Sequence, residues 1–281
     1  MNYRLAGAIF GDIAGSIYEW NNTKDYNTVD LYNKDNHFTD DTVCTIAIAD
    51  ALLHPVGENQ FDFASYLKKW CRKYPKAGYG GNFFNWFTED EFYLNNSYGN
   101  GSAMRVSPIG YYAKDVVECR IIAQQSCMNS HAHFEGIRGA QAIAESVFKM
   151  NDGYDSWIPS CSILMDYYPW YYNNFKPYVR LDLNDILNEI RPNYKFEVSC
   201  QKSVPIALIC YGASESYEDC IKKAISMGGD SDTLAAMAGA IYHAADEEML
   251  PETIQLVENR LPDEMLEVMV EFDKLIDERT K

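Results

Sequence analysis

The most regular feature of the chain is a helical spacing of its apolar positions. Apolar residues recur every three to four positions in residues 42–53, 140–150, 204–211, 217–227, 234–245 and 264–277. Residues 42–53 and 234–245 are also Ala-rich, and Asp and Thr, which are typical of helix starts, precede both. Pro205 is expected in the first turn of its helix. Because few stretches alternate with period two, the pattern predicts an all-α protein.

Two segments depart from this pattern. Residues 21–38 are polar and rich in Asn, Asp and Tyr, which predicts a surface loop between two helices. Residues 151–200 are rich in aromatic residues and lack the Ala-rich pattern of the predicted helices. We interpret them as an insertion or cap on one compact helical domain that spans residues 1–281. Their rings form either a side cluster beneath a long loop or part of the wall of a substrate cleft.

Charge and cysteine content narrow the classes of function. The net charge of −17 argues against broad attraction to nucleic acid or to an anionic membrane, although not against a small anionic ligand. No apolar run approaches the roughly 20 residues that span a bilayer, and the N-terminus lacks the pattern of a secretory signal. The eight cysteines form no CxxC pair, so we expect a reduced, cytoplasmic protein without a structural zinc site.

Two acidic motifs stand at the starts of two predicted helices. The first acidic motif is FTDDT (38–42) and contains Thr39, Asp40 and Asp41; the second is GGDSDT (228–233) and contains Asp230, Asp232 and Thr233. Carboxylate and hydroxyl oxygens are hard ligands that suit Mg²⁺, Mn²⁺ or Ca²⁺. Helix capping is the alternative, but it needs only one such side chain. The surplus of repelling charge favours two metal ions held between the motifs.

The N-terminal segment GAIFGDIAGSIYE (7–19) combines stepped glycines with two acids. Gly7, Gly11 and Gly15 have helical spacing, which predicts close packing against another helix. Asp12 lies within this apolar helix, where a carboxylate is costly unless it is paired or bound to metal. Glu19 lies at the helix end, about two turns further on, from which it could reach a cleft.

A Gly-rich segment, SYGNGSAMR (97–105), leads into another helix. Such a loop can bring backbone N–H groups close to a phosphate, although most loops of this kind are ordinary turns. His131 follows at another helix start, where a histidine is more often a cap or a packed ring than a catalyst. Arg105 could equally serve to hold a buried acid.

Taken in order along the chain, these motifs resemble the ADP-ribosylglycohydrolase family. The resemblance rests on GAIFGDIAGSIYE, FTDDTV, SYGNGSAMR, SHAHFEGIRGA, SVPIA and GGDSDTLAAMAGAI, which together cover nearly the whole chain. It implies a compact, single-domain orthogonal helical bundle with two Mg²⁺ or Mn²⁺ ions in a cleft. It also implies hydrolysis of the bond between the distal ribose of ADP-ribose and an acceptor, with ADP-ribosyl-arginine on protein as the first expectation. Serine, a nucleobase or a small molecule is the alternative acceptor.

The resemblance also assigns roles residue by residue. It implies metal ligation by Thr39, Asp40, Asp41, Asp230, Asp232 and Thr233. The expected catalytic residues are Asp40, Asp41, Asp230, Asp232 and Glu19. Glu19 matches a mobile glutamate that ligates a metal or swings away. Loop residues Ser97, Tyr98, Gly99, Asn100 and Gly101 match a diphosphate cradle. His131 matches a contact to ADP-ribose near the distal ribose, and Gly228 and Gly229 would let that ribose approach.

The chain departs from the family pattern away from these ligands. Ser102 stands where many relatives have Gly, the run 133–135 (HFE) replaces small residues, and the aromatic run 167–175 has no recognised counterpart. We therefore expect activity to be kept and acceptor specificity to be affected. A non-catalytic ADP-ribose-binding relative and a metal hydrolase of phosphate esters remain as competing interpretations. The sequence does not indicate an oligomeric state.

Overall fold

The computed structural model describes residues 3–91, 93–154, 157–175, 183–245 and 249–279. Fifteen α-helices lie within them. They are α1 (Ala6–Gly15), α2 (Asp40–Leu53), α3 (Phe63–Lys73), α4 (Gly81–Thr88), α5 (Ser107–Tyr112), α6 (Val116–Cys127), α7 (Phe134–Asn151), α8 (Trp157–Tyr167), α9 (Pro169–Phe175), α10 (Leu183–Ile190), α11 (Cys200–Gly212), α12 (Tyr217–Ser226), α13 (Ser231–His243), α14 (Pro251–Arg260) and α15 (Asp263–Arg279).

The described residues contain no β-strand, and three isolated bridges are the only β-type pairs among them. The all-α prediction is thus confirmed, and each of the six periodic segments coincides with a helix. The predicted polar loop over residues 21–38 is also confirmed, with a single 3₁₀ turn at Tyr26–Thr28. None of the described helices combines the length and apolarity needed to cross a membrane.

Helix α13 runs through the middle of the molecule. Every residue of α13 and of α1 is buried, which is typical of helices surrounded on all sides. Helix α1 packs along α13, and α2, α7, α11 and α12 surround this pair. The starts of α2 and α13 therefore lie deep in the protein, where charged side chains need compensation.

Helix α11 begins earlier than its sequence predicts. Pro205 was expected in the first turn, but the helix starts at Cys200 and Pro205 lies inside it. The start is fixed from outside the segment, since the Cys200 N–H donates to the Tyr98 carbonyl at 2.9 Å. The Asn100 N–H likewise donates to the Val198 carbonyl at 2.7 Å. These bonds tie the end of the 151–200 segment to the Gly-rich loop.

Helices α8, α9 and α10 occupy the described part of residues 151–200, and α8 packs on α7 and α11. The interpretation of this segment as an insertion or cap stays a prediction. All eight cysteines are free thiols, as their irregular spacing predicted.

Candidate metal centre

Three glycines bring α1 against α13. A methyl group added at Gly11 would lie 2.3 Å from the Ala235 carbonyl oxygen, and one added at Gly15 would lie 2.4 Å from the Asp232 Cα. Added at Gly7, it would lie 2.3 Å from the His243 Cβ. These distances leave no room for a side chain, so the predicted close packing is confirmed. The contact places the second acidic motif beside Asp12 and the first.

Asp12 holds the start of α2 from a neighbouring helix. Its carboxylate accepts from the Thr39 N–H at 2.9 Å, from the Thr39 hydroxyl at 2.6 Å, from the Thr42 N–H at 3.1 Å and from the Thr42 hydroxyl. Burial raises the pKa of Asp12, and these hydrogen bonds oppose that rise. Asp12 thus does for α2 what a capping side chain normally does, which accounts for an acid in an apolar helix.

The acids of the two motifs do not cap their own helices. Neither Thr39, at the start of α2, nor Asp230, at the start of α13, makes a side-chain capping bond. Instead the motifs contact each other, because the Thr233 hydroxyl donates to Asp41 Oδ2 at 3.1 Å. Asp230 accepts from the Asn100 amide at 2.6 Å. The capping alternative therefore does not explain these acids.

Two groups of carboxylates are close enough to share a cation. Single oxygens of Asp12, Asp41 and Asp232 lie within 4.8 Å of one another, and so do those of Glu19, Asp230 and Asp232. Asp232 belongs to both groups, so its carboxylate could contribute to either. Asp40 lines the same cleft without joining either group.

The carboxylates of these two groups have raised pKa values, because burial removes them from water and too little positive charge lies near them. Burial and the neighbouring carboxylates raise the pKa of Asp41 and of Asp232 well above its usual range. Burial and then Asp230 raise the pKa of Glu19 to about 7, while a hydrogen bond from Trp20 opposes the rise. Asp41 Oδ1 and Asp232 Oδ1 are buried without a hydrogen-bond partner. Divalent cations among these hard oxygen donors would satisfy both the charge and the orphaned atoms.

The Gly-rich loop forms the adjacent wall of the cleft. Asn100 and Gly101 line it, together with His131 and Arg105. A Cβ at Gly101 would lie 3.1 Å from His131 Nε2, so glycine keeps this wall open. Ser97, Tyr98 and Gly99 precede the lining residues; Ser97 Oγ accepts from the Gly99 N–H at 3.1 Å, and the Tyr98 ring is exposed.

His131 and Arg105 form a buried pair behind this loop. Burial, with the Arg105 charge, lowers the pKa of His131 well below its usual range, so its ring is neutral. Arg105 donates to the Ser126 carbonyl at 3.1 Å and to Ser130 Oγ at 2.7 Å. Neither partner is an acid, so the expectation that Arg105 could hold a buried acid is wrong.

Gly228 and Gly229 both have positive φ, of 68° and 75°, which favours glycine. A Cβ added at Gly228 would lie 2.9 Å from Lys24 Nζ, and one added at Gly229 would lie 2.8 Å from the Lys195 carbonyl oxygen. The approach of a ribose to these glycines stays a prediction.

Sequence reasoning missed part of the cleft wall. Gly78, Gly80 and Phe83 line the cleft from before and within α4, and Val198 lines it from the end of the 151–200 segment. Tyr194 packs against Gly229, and neither residue belongs to this lining. The expectation that the aromatic rings of the segment wall the cleft stays a prediction. The run 167–175 supplies none of the lining residues that the structure describes.

Comparisons with known proteins identify the family of the chain. ADP-ribosylhydrolase ARH3 from Homo sapiens is 27% identical over 89% of this chain and 86% of its own length, and that from Mus musculus is 26% identical over 89% and 85%. A solved ADP-ribosylglycohydrolase-related protein complex shares the fold, with a TM-score of 0.69 and 17% identity over 97% of this chain and 96% of that one. The model of the ADP-ribosylglycohydrolase family matches residues 4–280. The chain therefore belongs to this family of metal-dependent glycosidic-bond hydrolases that act on ADP-ribosylated substrates.

Proposed function

We propose that this enzyme hydrolyses the bond between the distal ribose of ADP-ribose and an acceptor, with two Mg²⁺ or Mn²⁺ ions at the meeting point of α2 and α13. The observation that carries the proposal is the position of Asp232 in both carboxylate groups. A capping role predicts side chains that bond to their own helix starts, whereas neither start has such a bond and the Thr233 hydroxyl donates to Asp41.

Seven residues would hold the two ions: Glu19, Thr39, Asp40, Asp41, Asp230, Asp232 and Thr233. When bound, divalent cations supply positive charge that orients the ribose hydroxyls and a water molecule. The Thr39 hydroxyl donates a hydrogen bond to Asp12 Oδ1 at 2.6 Å, which leaves the lone pairs of the Thr39 oxygen available to a metal ion. The Thr233 hydroxyl is oriented in the same way by Asp41.

The remaining lining residues bind and orient the substrate. Backbone groups of the loop containing Ser97, Tyr98, Gly99, Asn100 and Gly101 would hold the diphosphate, and neutral His131 would contact the ADP-ribose near its distal ribose. A carboxylate of the cluster accepts the proton of the attacking water. Its negative neighbours stabilise the positive charge that develops on the ribose as the acceptor leaves.

For the acceptor we propose arginine, as ADP-ribosyl-arginine on protein. The acidic surface, with a net charge of −17, favours a cationic side chain and its surroundings over a neutral one. An ADP-ribosyl-serine, nucleobase or small-molecule conjugate is the competing acceptor. The free thiols of the chain fit a reducing compartment, and a cytoplasmic location stays a prediction.

The test is a panel of defined ADP-ribosyl conjugates, assayed with Mg²⁺, with Mn²⁺ and in chelator. Asp232→Ala should abolish ADP-ribose release while the folded structure is kept. Asp62→Ala is the matched control, because Asp62 caps α3 by accepting from the Ser65 N–H at 3.1 Å and lies outside the cleft. It should lose about 1 kcal/mol of stability and no turnover. Full activity in chelator would refute the metal centre, and phosphate release from simple nucleotides alone would favour a phosphoesterase.

A further inference from the structure

An exposed aromatic pair lies next in sequence to residues that line the cleft. The rings of Trp20 and Phe196 stack with centroids 5.1 Å apart and an interplanar angle of 23°. Trp20 is nevertheless 81% exposed and Phe196 44% exposed. Leaving this much apolar ring area in water opposes solubility and adds little to the core, so the pair is better explained by binding than by folding.

Both rings belong to chain segments that border the carboxylate end of the cleft. Trp20 directly follows Glu19, which lines the cleft. Phe196 directly follows Lys195, whose carbonyl packs against Gly229, and precedes Val198, which lines the cleft. The stack therefore joins the two chain segments that border the Glu19–Asp230–Asp232 carboxylates.

A second contact holds the same two segments together. Lys24 Nζ donates to the Tyr194 carbonyl at 2.7 Å, four residues after Trp20 and two before Phe196. Because this bond also links the two segments, their association does not depend on the ring stack alone, and both rings keep exposed area that a ligand could contact.

We propose that Trp20 and Phe196 form the acceptor-binding surface of the enzyme and favour a planar cationic acceptor, of which guanidinium is the protein example. The inference rests on the proposed function, which assigns the distal ribose to the carboxylate end and the diphosphate to the Gly-rich loop. A group attached to the anomeric carbon then leaves the cleft at the carboxylate end, where Trp20 and Phe196 stand.

The chemistry of the pair accounts for the selectivity. An indole face attracts cations more strongly than other aromatic side chains do, and a flat guanidinium can stack on it. A neutral serine conjugate gains neither contribution, so the pair raises the preference for the cationic acceptor.

The experiment compares three conjugates of the same ADP-ribose: an arginine peptide, a serine peptide of the same flanking sequence, and the methyl glycoside, which carries no side chain to stack. In Trp20→Ala the ratio of kcat/KM for the arginine peptide to that for the methyl glycoside should fall roughly two- to fivefold, through KM, since a cation–π contact at an exposed site is of this size. Phe196→Ala should lower the same ratio by a smaller factor.

Two variants separate ring contact from indirect effects. Trp20→Phe keeps a ring but loses the indole N–H, so it should retain most of the arginine preference. Trp170→Ala removes another exposed tryptophan, in α9 and outside the described lining of the cleft, and should change none of the ratios.

The outcomes are distinguishable. An equal loss on all three conjugates in Trp20→Ala would mean that Trp20 acts only through Glu19, and would overturn the inference. An unchanged arginine-to-serine ratio would overturn it as well. If the unaltered enzyme cleaves none of the three in Mg²⁺ or Mn²⁺, the proposed function itself is wrong and the acceptor assignment falls with it.

Discussion

Replacing Gly15 by alanine tests whether the α1–α13 contact builds the metal centre. In Gly15→Ala the new methyl carbon would lie 2.4 Å from the Asp232 Cα and 2.7 Å from its backbone nitrogen. Ordinary carbon contacts lie at about 3.5–4.0 Å, so the two helices must separate locally by roughly 1 Å. Because the atoms in the way belong to the backbone, no side-chain rotation can relieve the contact.

Two opposing contributions set the change in the free energy of unfolding. Alanine is favoured over glycine in a helix by about 1 kcal/mol. Overpacking of a tight interface costs about 1–3 kcal/mol and occasionally more, and a backbone contact belongs at the upper end of that range. The net loss is therefore about 2 kcal/mol, which corresponds to a fall in Tm of roughly 4–8 °C for a chain near this size.

The effect on metal binding should exceed the effect on stability. Asp232 supplies oxygens to both carboxylate groups, and Mg²⁺ demands near-ideal octahedral geometry at about 2.0–2.1 Å. We expect calorimetric titration to show weakened Mg²⁺ binding in Gly15→Ala, with scanning calorimetry reporting Tm. Gly81→Ala is the matched control, since its Cβ would meet nothing within 4 Å. Unaltered Tm and metal affinity in Gly15→Ala would refute the reasoning.

Further predictions concern the carboxylates and the cleft wall. Asp232→Asn should abolish turnover yet raise Tm in chelator, because it removes one of several mutually repelling buried charges; a lower Tm in chelator would contradict this. Asp12→Asn should cost about 1–3 kcal/mol, because at least one of the Thr39 and Thr42 donors loses its partner, and should also weaken Mn²⁺ binding in a calorimetric titration. Gly229→Ala introduces a side chain at φ 75° beside the Lys195 carbonyl, which should raise KM and lower Tm. Unchanged kinetics would show that the contact of Gly229 with Lys195 does not affect substrate binding. Adding Mn²⁺ to metal-free enzyme should raise Tm by an amount that grows with its concentration, and Asp232→Asn should lose this shift.

The helices and the acidic motifs could be predicted because their signals are local. Apolar spacing of three to four residues identified α2 and α13, and the surplus of charge at their starts identified the carboxylates. The stepped glycines indicated a close helix contact, although not its partner. Local sequence carries this information since helix formation and metal-ligand chemistry depend on neighbours along the chain.

What could not be predicted depends on contacts between distant segments. Asp12 caps α2 across 27 to 30 positions, and no rule for helix starts looks that far along a chain. The early start of α11 follows from the bond between Cys200 and Tyr98, which outweighs the preference of Pro205 for a first turn. The stacking of Trp20 on Phe196 joins residues that share no motif.

The central claim is that the acids of α2 and α13 hold cations between them, and anomalous diffraction from crystals grown with Mn²⁺ tests it most directly. The account predicts two Mn²⁺ peaks, both at ligand distance from Asp232, one on the Asp41 side and one on the Asp230 side, and their loss in Asp232→Asn. A map without peaks between α2 and α13, from an enzyme that still releases ADP-ribose, would contradict it.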